Sequence, residues 1–178
     1  MITPKAIAGY AANLYTPDTE GKYADGKYKL QVRFPKGSDE VEEFVKKLMD
    51  MHDAADFGPN TPVKDGDALE SDNIKTIEFG RGHYMMTFKS KRLPTFVDSQ
   101  KQKLLEKVEA GDHVKLAFNM VPYDAFGGGF ALYLNAVQLI EKGGDRGVDE
   151  FGTEDGYVST NKVAPEKLPT SDPVDANF

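Results

Sequence analysis

The stretch Lys27-Tyr28-Lys29-Leu30-Gln31-Val32-Arg33-Phe34 decides the fold prediction, because its side chains alternate strictly between apolar and polar. Residues two apart in a β-strand point to the same face of the sheet. One face therefore carries Tyr28, Leu30, Val32 and Phe34, and the other carries Lys27, Lys29, Gln31 and Arg33. This pattern is typical of a strand with one buried and one solvated face. Pro35 ends the predicted strand, because proline has no N–H to donate to a sheet.

An amphipathic helix is predicted directly after this strand, over residues 39–56. Ser38 is a good N-cap, and Asp39 and Glu40 suit the positive end of a helix. Apolar positions then recur at helical spacing and define one face. They are Val41, Phe44, Val45, Leu48 and His52. We expect residues 58–73, which are rich in Pro, Asp, Asn and Gly, to form a loop.

Further strands are predicted over residues 76–90, 113–121 and 130–140, and residues 4–14 have an extended character. In the first of these, Tyr84, Met86 and Phe88 are expected to face the core, opposite Arg81, His83, Met85, Thr87 and Lys89. In the last, Phe130, Leu132, Leu134 and Ala136 are expected to oppose Ala131, Tyr133, Asn135 and Val137. A short helix is predicted over residues 98–110, with Asp98 as its cap and Leu104, Leu105 and Val108 as its apolar positions.

The resulting order is strand, strand, inserted helix, strand, helix, strand, strand. Five strands with a helix between the third and the fourth form an OB-fold, a small and partly open Greek-key barrel. We therefore predict a mainly β protein whose barrel spans residues 1–142, with residues 39–56 inserted between strands two and three. Residues 143–178 have low hydrophobicity, and residues 141–178 carry a net charge of −5, so we predict an acidic and mostly irregular tail.

Composition excludes several classes of protein. The chain of 178 residues has 22 Lys and Arg against 29 Asp and Glu, a net charge of −7, and it lacks cysteine. Disulfide scaffolds and thiolate metal sites are therefore excluded, and a reducing cytoplasm fits. No apolar run is long enough for a membrane span, and the first residues lack the apolar core of a signal peptide.

Charge is distributed unevenly along the chain. Residues 22–36 carry a net +4 and residues 81–103 a net +5, whereas residues 38–72 carry a net −8. A basic segment on an acidic protein can bind a polyanion, because fields near a protein surface are local at physiological salt. Solvated strand faces of mixed charge remain the alternative.

Catalytic motifs are missing from the sequence. His52, His83 and His113 are at least 30 residues apart, and the sequence contains neither a phosphate-binding loop nor a nucleophile elbow. The run Gly127–Gly129 is more typical of a hairpin turn than of a phosphate-binding loop. We therefore predict no enzyme activity, catalytic residue, metal or cofactor. The acids of residues 38–72 leave a small metal-dependent nuclease open as an alternative.

Basic residues alternate with aromatic ones in the two basic segments. Single-strand binders combine cations for the phosphates with flat side chains on which bases stack. In an OB-fold, strands two and three and the loops joining strands 1–2 and 4–5 form the binding face. The candidate DNA-binding residues are Tyr15, Lys22, Tyr23, Lys27, Lys29, Arg33, Arg81, Lys89, Lys91, Arg92, Tyr123 and Phe126. Among them, the loop aromatics Tyr15, Tyr23, Tyr123 and Phe126 are the stacking candidates, with core packing as the alternative.

The ordered set of these segments resembles phage-encoded single-stranded DNA-binding proteins with an OB-fold, including those of podovirus type. The resemblance covers roughly residues 3–142. It rests on residues 12–15, 27–36, 89–94, 111–114 and 132–138. It implies a protein that coats single strands during phage DNA replication, recombination and repair in the cytoplasm of an infected bacterium.

The C-terminal residues 168–178 are polar and acidic and end on Phe178. By type they match the acidic tails of the resembled family, which implies contacts with a DNA polymerase or primase-helicase and competition with DNA. The candidate partner-binding residues are Asp172, Asp175 and Phe178, and a homodimer is a further expectation. This tail is diluted by Pro173, Val174 and Ala176. An unremarkable chain end is the alternative.

A competing hypothesis from another class is an OB module that binds a protein or a glycan, such as a phage inhibitor of a host enzyme. Salt dependence separates it from a DNA binder, because neutralising phosphates makes affinity fall steeply with salt. A magnesium-dependent cleavage assay separates the nuclease alternative.

Overall fold

The computed structural model describes residues 1–22, 24–71 and 73–143. These residues form one sheet of seven strands and two α-helices. The strands are β1 Ala6–Ala8, β2 Tyr28–Pro35, β3 Lys64–Asp65, β4 His83–Ser90, β5 Thr95–Val97, β6 His113–Tyr123 and β7 Gly129–Glu141. The helices are α1 Asp39–Ala54 and α2 Ile74–Gly80, and single 3₁₀ turns cover Gly66–Ala68 and Ala125–Gly127.

The strands lie in the order β3-β4-β2-β1-β6-β7-β5, and β4 also pairs with β7. The pairings of β1, β2, β4, β6 and β7 therefore close into a circuit. Where β4 meets β7, the strands are parallel and Lys89 lies opposite Tyr133. The prediction of a mainly β protein is confirmed, and these five strands follow the predicted chain order.

The alternation of β2 is confirmed. Leu30, Val32 and Phe34 are fully buried, while Lys29, Gln31 and Arg33 are partly exposed. All eight residues of β2 pair antiparallel with β4. The strand includes Pro35 as its last residue, one position beyond the predicted end.

The inserted helix α1 is also confirmed. The Val41 N–H donates to Ser38 Oγ at 3.3 Å, as an N-cap requires. Its buried residues are Val41, Val45, Leu48 and His52. Phe44, which lies about one turn after Val41, packs against Phe34 and Phe118. Its ring centroid lies 5.7 Å from that of Phe34 and 6.1 Å from that of Phe118. The helix therefore packs directly on the core of the sheet.

The strand predicted over residues 76–90 is wrong in its first part. Residues 74–80 form α2, and the chain turns at Gly82, which has φ +69°, before β4 begins at His83. Residues 64–71 and 73–80 cover part of the outer face of the sheet. A Cβ on Gly80 would lie 2.6 Å from Leu69 Cδ1 and 3.0 Å from Met85 Sδ. Met85, predicted to face solvent, is therefore only 3% exposed.

The helix predicted over residues 98–110 is wrong. Asp98 Oδ1 accepts the backbone N–H groups of Gln100 and Gln102, both at 2.8 Å. An aspartate that binds the backbone ahead of it in this way offers the chain a turn in place of a helix. Of the three apolar positions, Val108 is buried, but Leu105 is almost fully exposed. These positions therefore do not form one buried stripe.

The predicted faces of β7 are right up to Leu134 and wrong beyond it. The pairing with β6 shifts between Ala117, opposite Ala136, and Phe118, opposite Leu134. Asn135 is thus an extra residue, and such a bulge reverses the alternation that follows. Val137, predicted to face outward with Tyr133, is therefore buried.

The predicted tail lies outside the described residues from position 144 onward, so Asp172, Asp175 and Phe178 stay predictions. The last described residues are tied to the sheet through the buried Asp112. Its carboxylate accepts Lys142 Nζ at 3.0 Å and the Gly143 N–H at 2.8 Å.

We expect Phe118→Ala to lower the free energy of unfolding by about 3–5 kcal/mol. Phe118 is fully buried and packs edge-on against Phe88 at 5.1 Å. Phe126→Ala removes the same atoms from a fully exposed position and serves as the matched control. Urea denaturation measures both, and equal losses of stability in the two variants would contradict this core assignment.

Candidate nucleic-acid interface

The outward side chains of β2 and β4 stand in register. Lys29 lies opposite Lys89, Gln31 opposite Thr87 and Arg33 opposite Met85. Because residues on one face of an antiparallel pair are close neighbours, two of the predicted cations meet at the Lys29–Lys89 position.

Carboxylates from the loop before β2 neutralise this pair of lysines. Lys29 Nζ lies 2.5 Å from Asp18 Oδ2 and 3.0 Å from Asp25 Oδ1. Lys89 Nζ lies 3.0 Å from Asp25 Oδ2, so one aspartate bridges both strands. The loop closes on itself through bonds from the Asp18 N–H to the Lys27 carbonyl and from the Gly26 N–H to the Asp18 carbonyl. Exposure differs between the two lysine side chains, 18% for Lys29 and 43% for Lys89.

These contacts shift the ionisation of the cluster. Burial opposes the charged form of Asp25, but hydrogen bonds from Lys29 and Lys89 outweigh it and hold the pKa of Asp25 at about 2. Burial likewise opposes the charged form of Lys29, and hydrogen bonds to Asp18 and Asp25 outweigh it and raise the pKa of Lys29. Asp25 and Lys29 are therefore both charged at neutral pH.

Arg33 is covered by α2. Its guanidinium carbon lies 4.4 Å from the centroid of the Phe79 ring, and its Nη1 donates to the Phe79 carbonyl at 3.0 Å. The sequence-based interpretation placed Arg33 on a solvated strand face. The structure shows instead that it holds α2 against the sheet.

The other predicted cations fall in three places. Lys91 and Arg92 are exposed in the turn after β4, beside the end that carries Lys89. Arg81 is exposed before β4, at the opposite end of the strand from Lys89. Before β2, Lys22 is exposed and Lys27 is partly buried. Tyr23 lies outside the described residues.

Tyr15 is held within the protein. Its ring stacks on Phe96 with centroids 4.6 Å apart, and its hydroxyl accepts the Val108 N–H at 2.6 Å. Burial is the main cause that raises the pKa of Tyr15. Tyr15 is therefore not the loosely packed loop aromatic that the sequence suggested.

Tyr123 ends β6, and Phe126 lies in the turn that joins β6 to β7. Tyr123 is partly buried and lies over Gly129, where a Cβ would come within 2.8 Å of Tyr123 Cζ. Phe126 is 95% exposed. Of the four predicted stacking residues, it presents the most open ring among those that the structure describes.

Two aromatic residues next to β2 and β4 were not among the predicted binding residues. Tyr10 is 62% exposed, and its carbonyl accepts the Gln31 N–H at 3.3 Å. Tyr133 is partly exposed and lies opposite Lys89. Both positions depend on pairings between distant strands, and the local sequence carries no signal for these.

Neither a metal cluster nor a membrane span is found in the described ranges. No group of three or more His, Asp or Glu side chains there could hold a metal ion. No helix there is long and apolar enough to cross a membrane.

A family model described as the ssDNA-binding protein of Enterobacter phage Enc34 matches residues 1–163. The chain belongs to this Enc34 ssDNA-binding protein family. The resemblance to phage single-stranded DNA-binding proteins is thereby confirmed. No sequence among curated proteins matches significantly.

Solved structures place the fold of this Enc34-family chain among phage proteins. The single-stranded DNA-binding protein of bacteriophage Enc34, solved in complex with ssDNA, is 15% identical with a TM-score of 0.63, covering 79% of this chain and 85% of the other. The single-stranded DNA-binding protein gp2.5 of bacteriophage T7 is 20% identical with a TM-score of 0.60, covering 86% and 97%. At such identities the likeness is one of fold.

We expect the Asp25 carboxyl of this Enc34-family protein to titrate near pH 2, below the ordinary value of 3.8. A folded-state pKa below the unfolded one stabilises the protein above about pH 4, and this contribution is lost as the pH falls toward 2. Carboxyl ¹³C NMR measures the midpoint. Lys29→Met should raise it, and an unchanged midpoint in that variant would show that Lys29 does not hold the charge.

Proposed function

We propose that the protein binds and coats single-stranded DNA without catalysing a reaction, and that β1, β2, β4, β6 and β7 form an OB-type barrel that presents the binding face. One observation carries the proposal: Lys89 faces Lys29 across one strand pair and Tyr133 across the other. Cations and a flat ring thus share one outer face, which is the combination that single-strand binding requires. Family membership and the likeness to phage single-stranded DNA-binding proteins support it.

In this proposal, phosphates replace the carboxylates of Asp18 and Asp25 around Lys29 and Lys89. Lys91 and Arg92 then extend the phosphate contacts beyond the end of β4, while Arg33 keeps its structural contact with Phe79. Bases stack on the exposed rings of Tyr10, Tyr133 and Phe126. Gly129, next to the Phe126 turn, lies four residues before Tyr133 and therefore roughly 13 Å along β7. A strand crossing the sheet can contact both rings.

The biological role follows as a further part of the proposal. We place the protein in phage DNA replication, recombination and repair inside an infected bacterium. The acidic tail, residues 143–178, would contact a phage polymerase or primase-helicase through Asp172, Asp175 and Phe178. These roles and a homodimer are supported by the resemblance to the phage family and by the composition of the tail.

We expect Lys89→Ala/Lys91→Ala to weaken binding to oligo-dT and to reduce the slope of log affinity against log salt by about 1.4, since each phosphate contact to a single strand contributes about 0.7. Fluorescence anisotropy at several salt concentrations measures both quantities. The matched control is Lys46→Ala/Lys47→Ala, which removes the same charge from the exposed face of α1.

Equal effects of the two double variants would contradict the proposed face. If the parent protein binds oligo-dT with no dependence on salt, the result would instead favour the alternative, an OB-type module that binds a protein. Incubation of the labelled oligonucleotide with Mg²⁺ tests the nuclease alternative, and we expect the oligonucleotide to stay intact.

We expect Asp25→Asn to tighten binding to oligo-dT, because it removes a carboxylate that holds Lys29 and Lys89 in the unbound protein. The gain should be largest at low salt, where attraction between charges is least screened. Asp53→Asn makes the same change of charge on α1, where the Asp53 side chain is mostly exposed. If both variants tighten binding equally, the effect reflects net charge and the bridging role of Asp25 is wrong.

A further inference from the structure

The turn between β6 and β7 holds Phe126 in a conformation that a bulky residue rarely adopts. Its φ is +56° and its ψ is 35°, in the left-handed helical region. For a side chain of this size such a backbone is an outlier and costs free energy. The ring meanwhile projects into solvent, so no packing of its own compensates for that cost.

Hydrogen bonds from the segment after α1, residues 57–60, hold this turn in place. Asn60 Nδ2 donates to the Phe126 carbonyl at 2.7 Å. The Gly58 N–H donates to the Gly127 carbonyl at 2.9 Å. Two successive carbonyls, those of Phe126 and Gly127, are therefore fixed by a part of the chain more than 60 residues away.

Aromatic packing anchors the same segment to the core. The Phe57 ring lies against Gly128, where a Cβ would come within 2.7 Å of Phe57 Cδ1, so only glycine fits there. Phe57 also packs edge-on against Phe130 at 5.0 Å and against the buried His52 of α1 at 5.9 Å. The turn thus rests on the end of α1 through Phe57.

We infer that residues 57–60 fix Phe126 in advance as a stacking surface for an unpaired base, with Asn60 as the positioning residue. This inference rests on the proposed function. When the backbone that carries the ring is already fixed, less conformational freedom is lost as a base stacks on it, so binding is tighter for the same contact. The insertion between β2 and β4, which includes α1 and residues 57–60, thereby contributes to binding by positioning a residue that lies outside it.

The ordering of the turn that carries Phe126 can be measured without DNA. The chain contains no tryptophan, so Phe126→Trp introduces a single indole fluorophore. Time-resolved fluorescence anisotropy should show fast motion limited to rotation about the side-chain bonds, and adding Asn60→Ala should increase the amplitude of that motion. Gln100→Ala, at an exposed amide beyond the opposite end of β7, is the matched control and should leave that amplitude unchanged.

The consequence for binding is measured with a double-mutant cycle on oligo-dT affinity. We expect Phe126→Ala to weaken binding by roughly tenfold, as loss of one stacked base does. Asn60→Ala should weaken it by about threefold, as loss of one hydrogen bond does. In the double variant, Asn60→Ala should add no further loss, because the ring that it positions is gone.

The outcomes separate this inference from the proposed function. If the two losses add in the double variant, or if Asn60→Ala leaves the amplitude of the indole motion unchanged, the positioning role of Asn60 is wrong while single-strand binding stands. If Phe126→Ala binds like the parent, the stacking role of Phe126 is wrong as well. If the parent protein itself fails to bind oligo-dT, the proposed function fails, and the stacking role fails with it.

Discussion

The eight-residue register between β2 and β4 is the constraint on which the rest of the structure depends. It places Leu30, Val32 and Phe34 inside with Met86 and Phe88, and it places Lys29 and Lys89 outside. A slip of one residue would exchange the two sets, because side chains alternate along a strand. The same pairing thus builds the core and sets two cations side by side on the outer face.

Local sequence was sufficient to predict β2 and α1. The alternation of β2 and the helical spacing from Val41 to His52 each carry their own signal, and both elements form as predicted. Two predictions failed where distant contacts decide, whereas the helix predicted over residues 98–110 failed because Asp98 binds the backbone of Gln100 and Gln102. Asn135 becomes a bulge because of its pairing with β6, and Met85 is buried because residues 64–71 and 73–80 fold over it. Nothing near either residue in the sequence reveals those partners.

The candidate binding residues show the same division. The charge pattern predicted that Lys29 and Lys89 lie on outer strand faces, and they do. It did not predict that Asp18 and Asp25 would pair with them, that Phe79 would cover Arg33, or that Tyr15 would pack on Phe96. Each of these contacts joins the strands to a loop or to a short helix. The loops around the sheet therefore determine which of the outward residues remain accessible.

For the proposed binding face, the bridging position of Asp25 has a consequence for which anions can bind. A tethered carboxylate competes at high effective concentration with any free anion that approaches Lys29 and Lys89. A single phosphate or a mononucleotide offers one group in exchange and gains little. A polymer offers many phosphates on one chain, so each exchange makes the next one intramolecular. The internal ion pairs would thus select for chain length and leave the face unoccupied among the small phosphates of a cell.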